Sequence, residues 1–245
     1  MIELNTFSVA ARCARTGMLG VAVSTAVPAV GGICTFVRQG VGAIATQSWV
    51  NPYLGIDGLI LLEHGLSAQE ALDKLIADDP GRDVRQLGIV DAKGNAATFT
   101  GKDCVDWAGD ITGDGFTVQG NMLIGAATIE KMADAARESA ALDLPERLML
   151  ILEAGQAAGG DKRGKQSAAL KVYNVEEFPW LDIRVDEHRN PVAELRRVFG
   201  IAREQLLPFV GGMPSRKNPL GGIPADVTAM LLTPPPYRPG GSGGA

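Results

Sequence analysis

Thr6-Phe-Ser-Val-Ala-Ala-Arg12, followed after Gly17 by Leu19-Gly-Val-Ala-Val-Ser24, is the stretch on which the fold turns. Both runs are short and rich in small and β-branched residues. The glycine between them marks a turn, so they are predicted to pair as a hairpin. Pro28 and Gly31-Gly32 then break the pattern. Two further strands are predicted over 33–38 and 41–47, parted by Gly40. Gly40, Gly42, Ala43 and Ala45 leave this region without bulk, which suits strands closely approached by another layer.

Outward from there, residues 49–55 read as a loop, and Leu59, Leu61 and Leu62 as a helix that ends at His64-Gly65. Ser67-Ala-Gln-Glu70 is a capping box. It opens a second helix with Ala71, Leu72, Leu75 and Ile76 at helical spacing, stopped by Asp79-Pro-Gly81. A hairpin is predicted from 85–90 and 96–100 around a loop containing Gly94. Residues 101–115 carry no clear element, and Trp107 reads as buried. A strand over 116–123 contains Gly120-Asn121, an unusual pair for a strand interior. Helices are predicted over 126–141 and 144–157, the latter with Pro145 in its first turn. Strands over 166–175 and 181–186 and a helix over 191–207 follow.

Strands grouped in hairpins and helices grouped in pairs indicate an α+β chain, with antiparallel sheets and helices packed outside them. Residues 1–207 form one expected domain. Residues 208–245, with Pro234-Pro-Pro236 and the terminal Gly240-Gly-Ser-Gly-Gly-Ala245, read as an extended arm with a disordered tip.

Composition narrows the function. A net charge of −5 gives no nucleic-acid footprint. No apolar run is long enough for a membrane span, and no secretory signal opens the chain. Cys13, Cys34 and Cys104 form no paired motif, which points to a reduced cytoplasm. With only His64 and His188 there is no zinc-like ligand set, and no dinucleotide or phosphate-binding motif occurs, so neither metal nor cofactor is expected.

Gly159-Gly-Asp-Lys-Arg-Gly-Lys-Gln-Ser167 is a charged, glycine-rich loop leading into a strand. In a chain this poor in histidine, a catalytic base must be something else. An N-terminal Thr, Ser or Cys supplies its own, because an α-amine of pKa ~7.7–8.0 can take the side-chain proton. Thr6, at the head of the first strand, is placed for this once residues 1–5 are removed. Lys162, Arg163 and Arg38 are candidates to keep that amine neutral by like-charge repulsion. Asp161 and Ser167 are candidates to orient the group.

The region 6–206 resembles the bacterial family known as domain of unknown function 1028. The matching stretches include Thr6-Phe-Ser-Val-Ala-Ala-Arg12, Gly40-Val-Gly-Ala-Ile-Ala-Thr-Gln-Ser-Trp49, Asn51-Pro52, Arg85-Gln-Leu-Gly-Ile-Val-Asp91, Gly120-Asn121, and Glu153 through Gly164 with Gln166-Ser167. That family is placed among the N-terminal nucleophile hydrolases, which include proteasome subunits. The resemblance implies a four-layer αββα sandwich. The leading expectation for activity is a hydrolase of a non-peptide C–N bond in a small anionic amide or amine, because the basic residues Lys162, Arg163 and Arg38 opposite Thr6 would suit a carboxylate. Thr6, Asp161, Lys162 and Ser167 would be its catalytic set. Arg38, Gln47, Ser48, Asn51, Asn121, Arg163 and Gln166 would contact substrate. A deaminase of an enamine-type carboxylate would use the same pocket. A non-catalytic binding or assembly protein, with the C-terminal arm wrapping a neighbour in a homo-oligomer, is the alternative of another class. The chain departs from the proteasome pattern at Asn5, where a Gly is usual, and at Ser24-Thr25, where an acid is expected. Arg38 stands near the place of an expected lysine and cannot act as a base.

Overall fold

The computed structural model describes residues 6–161 and 163–233. It divides into two compact units at Arg196/Arg197, inside the last long helix and ahead of the expected 207/208 boundary. In the first unit, β1 (Thr6–Arg12) and β2 (Leu19–Thr25) form the expected hairpin. The next strands are β3 (Thr35–Arg38), β4 (Gly42–Ser48), β5 (Arg85–Asp91) and β6 (Ala96–Thr100). They are followed by β7 (Gly109–Gly113), β8 (Phe116–Asn121), β9 (Ser167–Tyr173) and β10 (Pro179–Val185). A six-stranded sheet runs β10-β9-β2-β1-β8-β7 and a four-stranded sheet runs β3-β4-β5-β6, with all named pairings antiparallel.

Helices α1 (Pro52–Glu63) and α2 (Ala68–Asp78) cover the outer face of the four-stranded sheet, and α3 (Ala127–Glu138) and α4 (Leu144–Ala157) cover that of the six-stranded sheet. The result is an α+β sandwich of four layers, αββα. Strand alternation explains the layering. Ile44, Leu87 and Ile89 point outward and bury against Leu54, Leu59, Leu62, Leu72 and Leu75 of the helices. Each such side chain contributes about 1.5–3 kcal/mol of burial. Their neighbours in sequence, Ala43, Ala45 and Val90, point inward beside Val37 of the same sheet and meet Ala10, Leu19 and Val21 of the facing strands. The small residues noticed at 42–45 are therefore where the two sheets approach. This apolar packing fills one end of the space between the sheets. The other end is polar.

Several expectations are corrected. The loop at 49–55 is cut short, because the Asn51 side chain caps the Tyr53 N–H at 3.1 Å and Pro52 opens α1. Residues 109–113, expected to be irregular, form edge strand β7. Trp107 is only half-buried. Gly120 does lie in a strand. A side chain there would come within 2.6 Å of Leu123 and 3.1 Å of Ile129, so glycine is what lets α3 pack down. In the second unit, α6 (Leu207–Gly211) and α7 (Ala225–Leu232) are helical where an extended arm was expected. The terminal Gly/Ser stretch lies outside the described residues. Across the unit boundary runs α5 (Pro191–Gln205).

Asp79, after α2, is a structural acid. Burial works against its charge, but hydrogen bonds from Arg85 at 2.8 Å and the Gly81 N–H at 2.8 Å outweigh this and hold its carboxyl below the usual range. A depressed carboxylate stabilises the fold fully above its unfolded pKa and loses that contribution as pH falls through the folded value. Asp79→Asn is therefore expected to flatten the acid limb of a urea-midpoint-versus-pH curve below about pH 4, near the ordinary aspartate value. An unchanged acid limb would remove Asp79 from the account.

Candidate functional site

The pairing registers assemble a polar row across four strands at one end of the six-stranded sheet. Thr6 of β1 is partnered by Asn121 of β8 on one side and by Thr25 of β2 on the other, and Thr25 in turn by Ser167 of β9. Register partners share a face. This face looks into the space between the sheets, as the bonds of Asn121 to the second sheet show. All four residues are buried, Thr6 to 1 % exposure. The Thr6 and Thr25 hydroxyl oxygens are 3.2 Å apart, within hydrogen-bond reach.

Behind Thr6 lies a buried network of amides joining the two sheets. Gln119 Nε2 donates to Ser8 Oγ at 2.6 Å, and Ser8 Oγ donates to Gln47 Oε1 at 2.6 Å. Gln47 Nε2 serves Gln86 Oε1 at 2.8 Å, the Thr6 carbonyl at 3.3 Å and the Gln119 carbonyl at 3.2 Å. Asn121 Nδ2 also donates to Gln86 Oε1, at 3.0 Å. Gln86 Nε2 donates to Thr100 Oγ1 at 2.9 Å and to the Gly120 and Gly109 carbonyls at 2.8 and 3.2 Å. The Thr100 hydroxyl donates to the Asp110 carboxylate of β7. The far end of the network, Gln119 Oε1, has no hydrogen-bond partner among the described residues.

Asp161 reaches this end of the sheet through a bridge to Leu123. Its carboxylate accepts from the Ala26 N–H at 3.2 Å and the Arg163 N–H at 2.8 Å, and pairs with the Arg163 guanidinium at 3.5 Å. It thereby ties the charged loop to the residue after Thr25. Ser167 Oγ donates to the Val27 carbonyl at 2.5 Å and accepts from the Val30 N–H at 3.2 Å, so it braces the 26–30 loop. Gln166 contributes through its backbone, its N–H donating to the Thr25 carbonyl at 2.8 Å.

The structure thus gathers Thr6, Gln47, Asn121, Asp161, Arg163, Gln166 and Ser167 at one end of the sandwich. It does not gather Arg38. That residue pairs in register with Gly42 and forms an ion pair with Glu63 at 2.6 Å. Gln47 lies five residues further along β4, about 17 Å at ~3.4 Å per residue. Arg38 is therefore corrected to a surface ion pair. Asn51 is a helix cap, as above. Ser48 ends β4 in the left-handed region at φ 67° and stands beside Cys104. The N–H groups of Gln47 and Asn121 that were expected to meet a substrate are directed to Gln86 and to backbone. Lys162 lies outside the described residues. Thr25, Gln86 and Gln119 were missed. Their signal was parity: each is a polar side chain at an inward-facing position of its strand.

Other nucleophiles fit poorly. Burial pushes the Cys34 thiol up to about 12 and raises that of Cys104, so both stay protonated. Cys13 lies past the opposite end of β1 from Thr6. Among the described residues no group of three or more His, Cys, Asp or Glu is placed to hold a metal, and no helix is long and apolar enough to cross a membrane.

Comparison with known proteins gives a consistent assignment. A protein of known structure from Silicibacter pomeroyi, described as DUF1028, matches with a TM-score of 0.82 at 29 % identity, over 90 % of this chain and 96 % of that one. Anbu (ancestral beta-subunit) from Yersinia bercovieri matches with a TM-score of 0.38 at 13 % identity, over 85 % of this chain and 98 % of that one. Comparison with curated proteins finds no match. The model of a family of unknown function, DUF1028, matches residues 6–195. The chain belongs to that family, DUF1028.

Proposed function

We propose that the chain hydrolyses a non-peptide C–N bond in a small anionic amide, with Thr6 as nucleophile once residues 1–5 are removed. The observation that carries this reading is the placement of Thr6. It heads a central strand, its hydroxyl is 3.2 Å from that of Thr25, and its carbonyl is held by Gln47. Rigid placement of a nucleophile on a strand lowers the entropic part of a barrier. The freed α-amine takes the hydroxyl proton as Oγ1 attacks the amide carbon. The C–N bond breaks and the amine leaves with that proton. Water then hydrolyses the ester, restoring the hydroxyl and the free amine. Arg163 and Lys165, both exposed in the loop that follows Asp161, form the cationic stretch that favours a carboxylate-bearing substrate.

A second reading is favoured by the internal saturation of the site. Ser167, Gln47, Gln86 and Asn121 spend their bonds within the protein, as in a scaffold that binds or assembles without catalysis. Intact-mass measurement separates the two. Loss of residues 1–5, together with an acetyl adduct on the Thr6 peptide after exposure to p-nitrophenyl acetate, is the expected result. A chain that keeps residues 1–5 and takes no adduct would overturn the nucleophile reading and favour the non-catalytic one.

A further inference from the structure

The amide network has a direction, and the direction is fixed from one end. An ionised carboxylate only accepts, so the single hydroxyl proton of Thr100 goes to Asp110 and the Thr100 oxygen must accept from Gln86. The Gly109 and Gly120 carbonyls make the same demand, since they too only accept. Three acceptors therefore hold the Gln86 amide with its NH2 toward β6, β7 and β8. Its Oε1 is left facing Gln47 and Asn121, and both turn their NH2 groups onto that one oxygen, at 2.8 and 3.0 Å. The oxygen of each amide is then left for other donors. For Gln47 that donor is Ser8. For Asn121 the oxygen belongs to the side chain next to Thr6 across the β1–β8 pair.

We propose that Gln86 is a positioning residue for Thr6. By taking the Asn121 and Gln47 N–H groups, it makes Asn121 an acceptor beside Thr6 and seats Gln47 on the Thr6 carbonyl. Its role in reaction rests on Thr6 being the nucleophile. An acceptor at that place suits a free α-amine, whose N–H bonds need a fixed direction if its lone pair is to face the hydroxyl. Gln86 touches neither substrate nor the reacting oxygen and acts only through these two neighbours.

The test compares Gln86→Glu, which keeps an acceptor, with Gln86→Leu, which has none. The readouts are the Asn121 side-chain 15N–1H resonances and the rate of Thr6 acylation by p-nitrophenyl acetate. Gln86→Glu is the harsher change to a buried site, because it loses every donated bond. A merely structural role would leave it as impaired as Gln86→Leu, or more so. The proposal expects the reverse order. Gln86→Glu should keep the wild-type Asn121 shift and acylate within about threefold of wild type, whereas Gln86→Leu should shift the resonance and lose at least about tenfold, the low end for a misplaced group. Equal losses in both would overturn it. In wild-type protein, which needs no variant to fold, a contact between Gln47 Hε and Asn121 Hδ protons is expected in NOE spectra, and its absence would also overturn the proposal. If that contact and the order of shifts appear while wild-type Thr6 takes no acetyl group, the nucleophile reading falls and the positioning of Asn121 by Gln86 stands.

Discussion

Thr6→Ala is expected to abolish acylation by p-nitrophenyl acetate, by at least about 10³-fold, the scale on which loss of a nucleophile acts in acyl-transfer enzymes. The fold should survive. The substitution removes one hydroxyl from a buried strand and one hydroxyl–hydroxyl contact of 3.2 Å, a loss of about 1 kcal/mol. Thr6→Ser keeps the oxygen and should retain activity, reduced because the unbranched side chain is less restricted at χ1. Thr25→Val, which keeps the shape but not the hydroxyl, should fall between them, by about 10-fold to 100-fold if the contact orients Thr6 in the transition state. Acylation measured by intact mass over time, with urea midpoints as the folding control, checks all three. A Thr6→Ala rate equal to wild type would end the proposal for Thr6.

The second large effect concerns stability. Gln86 is fully buried, and its amide accepts from Gln47 and Asn121 and donates to Thr100, Gly109 and Gly120. Gln86→Leu strands several of these groups in a space closed to water. Gln47 keeps its two carbonyl acceptors and Thr100 keeps Asp110, but the Asn121 N–H and the bonds given to the two glycine carbonyls are lost. At ~1–3 kcal/mol for each buried group left unsatisfied, a total of at least about 3 kcal/mol is expected. Gln119→Leu is the contrast. Gln119 gives one side-chain bond, to Ser8, and its Oε1 has no partner among the described residues. The substitution removes an unsatisfied acceptor along with that bond, so the cost should stay below about 1 kcal/mol. Urea unfolding of the two variants checks the difference. Equal costs would mean that hydrogen bonding does not govern this interior.

Much of the architecture could be read from residue order. The hairpin at Thr6–Ser24, the capping box at Ser67–Glu70 and the hairpin around Gly94 are local signals, and each has a local cause in turn chemistry or strand alternation. The site was legible in its ends but not in its middle. Thr6 and the Asp161–Ser167 loop stand out by position and charge. The middle is set by strand register, which brings Asn121 alongside Thr6, and Ser167 alongside Thr25, each from more than a hundred residues away in the chain. No sequence spacing announces that. Arg38 failed for the same reason. Its type was right for an anionic pocket, but the short β3–β4 turn places it at the other end of its sheet, where Glu63 meets it. β7 was missed because its pattern, Gly109-Asp-Ile-Thr-Gly113, is that of a loop. Its strand character comes from pairing with β8, and its Asp110 is held by threonines of the other sheet.

The division of the space between the sheets into an apolar half and a polar half bears on how the two sheets find their alignment. Hydrocarbon contact is non-directional. Ala10, Ala43, Ala45, Val21 and Val90 would be nearly as well covered if one sheet slid past the other by a residue pair. The amides would not, because Gln47 and Gln86 can reach Ser8, Asn121 and Gly120 from one offset only. The polar half works as an indexing pin. It adds little net attraction, but it makes every slipped arrangement leave amides unmatched, so the position of Thr6 within the sandwich is set by groups bonded to one another across the two sheets.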